Sequence, residues 1–131
     1  MRDMFGKLLR EWRGKAAKTM GDVARCLNVT VAYISDVERG VRTPFTTENI
    51  MKVARFLDIP PAGTEQLLHA AAEWRGSYEL NVGTPQQNQV AAALMRGWAS
   101  LSEGQLKDIQ RIVAHRHKTG EYAAVNEEEK S

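Results

Sequence analysis

Long apolar runs and cysteine are what this sequence of 131 residues has least of. No stretch approaches the ~18 to 20 apolar residues that a membrane-spanning helix needs. The amino-terminal stretch carries Asp3 and lacks an apolar core followed by a small-residue cleavage site, so we expect no secretory signal. The single cysteine, Cys26, cannot form an internal disulfide and is predicted to be a small buried apolar side chain. We therefore expect a cytoplasmic protein without a membrane partner.

Patterns that bind metals or cofactors, or that activate a nucleophile, are missing as well. The histidines have no cysteine or glutamate at ligand spacing, and His115 and His117 stand two apart on a predicted helix, where they point to different faces. No glycine-rich phosphate loop is found, and Ser35 has no base within its motif. We predict no enzyme, no cofactor and no metal site, with the histidines at the surface.

The formal net charge of +2 is distributed unevenly. Residues 1–60 carry eleven bases and seven acids, a net charge of +4, and residues 61–131 carry −2. A basic half joined to a mildly acidic half is typical of a part that binds a polyanion and a part with another role. Chance scatter accounts for so modest an asymmetry equally well.

Apolar residues recur at helical spacing along nearly the whole chain, which predicts an all-α fold. Hydroxyl and glycine residues stand where helices would start and stop, and Asn28 suits the left-handed backbone of a tight turn. The predicted helices up to residue 75 are one striped by Met4, Phe5, Leu8, Leu9 and Trp12, one capped by Thr19, one capped by Thr30 and ended by Gly40, one capped by Thr46 or Thr47, and one opened by Thr64 after Pro60 and Pro61.

Composition changes after residue 75. Residues 76–84 are predicted to be a linker, with a brief extended piece at Tyr78 to Val82. Thr84-Pro85 and Ser102 each begin a helix with a capping box, completed by Gln87 and Gln105. The expected organisation is a five-helix domain over 1–75, the linker, a helical pair over 85–119 and a polar tail over 120–131.

A helix-turn-helix pattern occupies residues 19–40, TMGDVARCLNVTVAYISDVERG. Two short helices that cross steeply need a small residue where they approach, and Ala24 provides it. Val29 fills the core from the turn, and Ile34 and Val37 pin the second helix. These residue types at these spacings strongly indicate the motif.

The same stretch, ending in Val37-Glu38-Arg39-Gly40, resembles the Xre/Cro/CI family of lambda-repressor-like DNA-binding domains. The resemblance extends from about Phe5 to Leu57, and through the fifth helix if that one is included. It departs at Met20, where the family often has glutamine, and at Asn28, where it often has glycine. The other matching residues are Thr19, Ala24, Leu27, Val29, Thr30, Ile34 and Ser35.

In this family the second motif helix enters the major groove with its amino end first. The resemblance implies base contacts from Val31, Ala32, Tyr33 and Asp36, a set poor in long donors. Val31 and Ala32 can contact a thymine methyl group, and Asp36 can accept from cytosine N4. We therefore expect Arg42, on the following loop, to read bases in either groove.

Phosphate contacts are expected from hydroxyl side chains, helix ends and nearby basic side chains. Capping threonines and solvated basic side chains occur in every helical protein, so each candidate could equally serve only as a helix cap or as an ordinary surface residue. Arg39 matches an arginine of the family, and the resemblance implies that it pairs with a core-facing acid. The candidates for phosphate contact are Arg10, Lys18, Thr19, Thr30, Ser35, Thr43 and Thr47.

The helical pair over 85–119 has more apolar residues than two helices can bury alone. We expect it to form a homodimer interface, because one helix-turn-helix buries little surface for specific binding. Packing against the first domain and binding of a different protein are the alternatives. The expected interface residues are Leu94, Trp98, Leu101, Leu106, Ile109, Ile112 and Val113.

These patterns predict a regulator that binds specific double-stranded DNA, in particular a repressor that binds an inverted-repeat operator as a homodimer. A protein-interaction module, such as an antitoxin or a repressor antagonist that acts through its carboxy-terminal helices, is the alternative. The resemblance also implies a phage or prophage origin.

Overall fold

The computed structural model describes residues 4–117, and in that range the chain forms seven α-helices, one 3₁₀ turn and no strand. This confirms the predicted all-α class. The elements are α1 (Met4–Lys15), α2 (Met20–Leu27), α3 (Val31–Glu38), α4 (Thr47–Phe56), α5 (Pro61–Arg75), α6 (Pro85–Gly97), the 3₁₀ turn (Trp98–Ser100) and α7 (Glu103–His117). None of the described helices is both long and apolar enough to cross a bilayer. The tail predicted for 120–131 lies outside the described residues.

The chain divides into two compact units, with the boundary after Leu80. All buried apolar side chains of the described residues belong to the first unit, where α1 to α5 enclose one core. The most deeply buried large side chains are Leu9, Val23, Ile34, Val37, Phe45, Ile50, Val53 and Leu67.

The first helix packs against the end of α3 at backbone distance. A Cβ added to Gly6 would lie 2.3 Å from the carbonyl oxygen of Glu38 and 2.7 Å from that of Val37. Only glycine permits this approach. The neighbouring Phe5 and Leu9 are buried on the same face of α1.

Left-handed residues end several of these helices. Asn28 adopts φ 57° and ψ 49° after α2, as predicted, and the N–H of Val29 bonds the carbonyl of Ala24. Asp58 after α4 and Gly40 after α3 are also left-handed, with φ of 58° and 76°. Ala17 also has a positive φ, 56°, although alanine is poorly suited to this region.

Three local expectations are wrong. Helix α5 begins at Pro61 instead of at Thr64, because proline at the first helical position gives up no needed hydrogen bond; Thr64 is buried and donates to the Pro60 carbonyl at 3.2 Å. Cys26 packs against the core but is only half-buried. The apolar stripe of Val90, Leu94, Trp98 and Leu101 predicts that the sixth helix continues past Gly97, but the helix ends there and Trp98 lies in the 3₁₀ turn.

The second unit contains α6 and α7, and each begins with a capped turn. Thr84 accepts from the Gln87 N–H at 3.0 Å, while Ser102 and Gln105 exchange both bonds of a capping box, at 2.9 and 3.1 Å. Residues 78–83, which precede α6, are neither helical nor in a strand, so the extended piece expected there is not part of a β-sheet.

Candidate nucleic-acid interface

The two helices of the motif begin with threonine caps. The Thr19 N–H donates to Asp22 at 2.8 Å, and the Asp22 N–H donates to the Thr19 hydroxyl at 3.0 Å. The bond from the Thr19 N–H to the carboxylate is the largest cause that lowers the pKa of Asp22, and Arg25 contributes less. The Thr30 hydroxyl accepts from the Tyr33 N–H at 3.1 Å. An accepting hydroxyl keeps its own hydrogen for another partner, so both threonines can still donate to a phosphate.

The residues predicted to hold α2 and α3 together are in the core. Ala24 is 3% exposed, Ile34 0% and Val37 2%, while Val29 is partly buried and packs against them from the turn. The scaffold of the motif is therefore built as its sequence predicts.

The outer face of α3 carries the four predicted base-contacting residues. Val31 is 51% exposed and Ala32 is also exposed, whereas Tyr33 and Asp36 are half-buried. Solvent exposure on this face is therefore greatest at the amino end of the helix and decreases toward its middle.

Asp36 forms an ion pair with Arg39, whose Nη2 lies 2.5 Å from Oδ1. The expectation that Arg39 pairs with a core-facing acid is therefore wrong. Arg39 lies one turn after Asp36 on the outside of the domain, and its side chain is 59% exposed.

The core-facing acid is Glu38, and Arg13 of α1 binds it. The Arg13 Nε donates to Oε2 at 2.8 Å and its Nη2 donates to Oε1 at 3.0 Å, while Glu38 is 3% exposed. This two-point contact raises the pKa of Arg13. A signal for it was present in the sequence, because Arg13 continues the apolar stripe of Phe5 and Leu9 at intervals of four.

Arg42 lies over the ring of Tyr33, with Cζ 5.3 Å from the ring centroid. Tyr33 in turn stacks on Phe45 at 6.0 Å and 28°. The structure thus brings the loop arginine and the α3 tyrosine together on one surface.

Arg75, at the end of α5, holds this loop from its other side. Its guanidinium donates to the carbonyl of Phe45 at 2.9 Å and to that of Pro44. Sequence reasoning missed this contact, since it joins residues about thirty apart and no local pattern indicates it.

The seven residues predicted to contact phosphate fall into two groups. Thr19, Thr30, Ser35 and Thr43 lie in or beside the motif. Three others have partners elsewhere: Arg10 lies 3.5 Å from Glu38, Lys18 lies over the ring of Phe56, and Thr47 donates to the carbonyl of Glu79 at 3.3 Å.

No group of residues that could hold a metal ion occurs within residues 4–117. His69 lies 2.9 Å from Glu73 on the surface of α5, one turn away. The side chain of His117 lies outside the described residues.

Residues 9–63 match the model of a family described as Helix-turn-helix, of the Xre/lambda-repressor-like type. The match confirms the resemblance found in the sequence, and it includes α2, α3 and the loop with Arg42. No curated protein and no solved structure matches the chain significantly.

Proposed function

Because residues 9–63 match the helix-turn-helix family model, we propose that this protein is a DNA-binding transcriptional regulator, and in particular a cytoplasmic repressor that binds an inverted-repeat operator as a homodimer. The observation that carries the proposal is the outer face of α3. Its scaffold side is fully buried, while Val31 and Ala32 are exposed at the amino end, where a recognition helix meets base edges.

Base reading on this surface combines apolar contacts with one cation, Arg42, and one carboxylate, Asp36. Val31 and Ala32 fit thymine methyl groups, and Arg42 offers a bidentate donor for guanine O6 and N7. Asp36 has one carboxylate oxygen engaged by Arg39 and the other free for a cytosine amino group. The ring of Tyr33 is half-buried, so its contribution is to support Arg42 and to donate through its hydroxyl.

Phosphate binding is proposed at the amino ends of α2 and α3. Thr19 and Thr30 place a hydroxyl there beside backbone N–H groups, and helix amino termini favour anions. Thr43 and Ser35 add hydroxyls on either side. Arg10, Lys18 and Thr47 are weaker candidates, because each exchanges a contact within the protein for one with DNA.

The homodimer is proposed to form through the second unit, in which no residue of α6 is buried. Trp98 is 58% exposed, Ile112 61% and Val113 51%. Covering a large apolar side chain stabilises a protein by ~1.5 to 3 kcal/mol, so an uncovered set of this size favours association. A second copy is the proposed occupant, since two motifs on one axis give the surface that specific binding needs. The remaining proposed interface residues are Leu94, Leu101, Leu106 and Ile109.

In vitro selection from a random double-stranded DNA pool tests the proposal with the full chain. We expect enrichment of an inverted repeat with half-site centres about 10 base pairs apart, or a multiple of this. Binding to the selected site should weaken steeply as salt increases, because phosphate contacts release counterions. Failure to enrich any sequence would overturn the proposal, and a single asymmetric site would overturn the homodimer.

A protein-interaction module is the second candidate, and the exposed apolar residues of α6, α7 and the turn between them favour it. An antitoxin or a repressor antagonist would use this surface to bind a different protein. Sedimentation of the full chain distinguishes these two candidate functions. A wild-type dimer that dissociates in Trp98→Asp supports the homodimer. A monomeric wild type, together with a DNA selection that enriches no sequence, supports the protein-interaction module. Leu80→Asp, an exposed residue of the first unit, is the control.

A further inference from the structure

The loop between α3 and α4, residues 41–46, is fastened to the end of α5. Arg75, the last residue of that helix, donates from Nη1 to the Phe45 carbonyl at 2.9 Å and from Nη2 to the Pro44 carbonyl. Its side chain is half-buried, and its planar fork satisfies two adjacent carbonyls at once. The contact therefore fixes the loop backbone at two neighbouring points.

The same backbone carries the ring on which Tyr33 rests. Phe45 is 1% exposed, meets Phe5 edge-on at 5.4 Å and 82°, and stacks with Tyr33 at 6.0 Å and 28°. A shift of the Phe45 backbone moves this ring. Tyr33 would have to follow, because both rings pack against the core.

Arg42 completes the series, three residues before Phe45 on the same loop. Its guanidinium lies 5.3 Å from the centroid of the Tyr33 ring, a cation–π distance. The residue is exposed, so its direction depends on the ring beneath it and on the backbone that carries it.

We propose that Arg75 is a positioning residue for base reading: by holding the carbonyls of Pro44 and Phe45 it sets the direction of Arg42. The inference rests on the proposed function, in which Arg42 reads a base. A side chain already directed at its target loses less conformational entropy on binding than a free one. Removal of Arg75 therefore weakens specific binding more than phosphate-dominated, non-specific binding, in which Thr43 is the one proposed phosphate contact on this loop.

Affinity measurements with the full chain on the selected operator and on DNA without it test the proposal. Arg75→Met is expected to lose roughly three- to thirtyfold in affinity for the operator, and clearly less for the other DNA. In an Arg42→Ala background Arg75→Met should cause no further loss, because the two residues act in series. Arg55→Met, which replaces an exposed arginine of α4, is the control and should bind as wild type does.

Two-dimensional NMR of the free protein provides the second readout. The ring current of Tyr33 shifts the Arg42 side-chain protons upfield, and this shift should decrease in Arg75→Met and partly return in Arg75→Lys, which restores one donor. If Arg75→Met does not fold, Arg75→Lys alone carries both measurements.

Additive losses in the double variant, equal losses on both DNAs, or unchanged Arg42 shifts would each overturn the inference. Absence of DNA binding by the wild type would overturn the proposed function instead, while the NMR shifts would still decide whether Arg75 positions Arg42.

Discussion

Gly6 and Glu38 meet backbone to backbone: a Cβ on Gly6 would lie 2.3 Å from the Glu38 carbonyl oxygen and 2.7 Å from its carbonyl carbon. The atoms in the way belong to a helix end and cannot rotate aside. The contact packs α1 directly against α3. The position of the proposed recognition helix therefore depends on glycine, which has no side chain, at position 6.

Replacement of Gly6 by alanine is therefore expected to destabilise the first unit by about 1 to 3 kcal/mol, the cost of overpacking a core. Gly14→Ala is the matched control, because it lies in the same helix with nothing within 4 Å of the added Cβ. Alanine there should stabilise by about 0.5 to 1 kcal/mol. Chemical denaturation measures both, and equal effects would contradict this view of the α1–α3 contact.

Arg13→Ala is expected to reduce the free energy of unfolding by about 3 to 5 kcal/mol, since it leaves the buried Glu38 carboxylate without its two-point partner. Arg10→Ala is the control. The Arg10 side chain is 59% exposed, and its 3.5 Å distance to the same carboxylate is longer than that of Arg13, so the loss should stay below about 1 kcal/mol. Similar losses in the two variants would mean that Arg13 is not the main partner.

Ala17→Gly is expected to stabilise the protein. Ala17 ends α1 at φ 56°, and a left-handed alanine costs about 1 to 2 kcal/mol, of which the greater freedom of glycine in the unfolded chain cancels part. We expect a net gain of roughly 0.5 to 1 kcal/mol by thermal denaturation. Ala62→Gly, at an exposed position in the first turn of α5, where the backbone is right-handed, should destabilise instead. A loss in both variants would show that Ala17 is not strained.

Asp22 makes the stability depend on pH. Its hydrogen bonds lower its pKa in the folded state, so its contribution is complete above the unfolded pKa, about 3.9, and is lost as pH falls through the folded value. Asp22→Asn should therefore be less stable than the wild type at pH 7, and the difference should shrink below pH ~4. Melting temperatures from pH 7 down to pH 2.5 test this, and a difference that is constant with pH would refute it.

Local patterns in the sequence were enough to predict the motif. The Thr19–Asp22 box and the left-handed Asn28 involve residues within a few positions of one another, and each follows from side-chain chemistry alone. The buried face of α2 and α3 follows from helical spacing, which is why the scaffold was predicted correctly.

Local patterns place Arg13 on the inward stripe of α1, but they could not identify the partners in contacts between distant residues. Arg13 reaches Glu38 across 25 residues and Arg75 reaches Phe45 across 30. The family resemblance implies the pairing with a core-facing acid for Arg39, but the packing of α1 decides which arginine faces inward. The role of α6 and α7 depends on which surface covers their apolar side chains, and no local pattern in the sequence specifies that surface.

The affinity of Ala32→Glu for the selected operator tests the central claim most directly. Ala32 and Ala62 are both exposed and both hold the second position of a helix, where an acid is tolerated, so Ala62→Glu is a matched control in α5. If α3 lies in the major groove, the new carboxylate meets the DNA and Ala32→Glu should lose at least about tenfold in affinity, whereas Ala62→Glu binds as the wild type does. Equal binding by both variants, with both folded, would contradict the assignment of α3 as the DNA-reading helix.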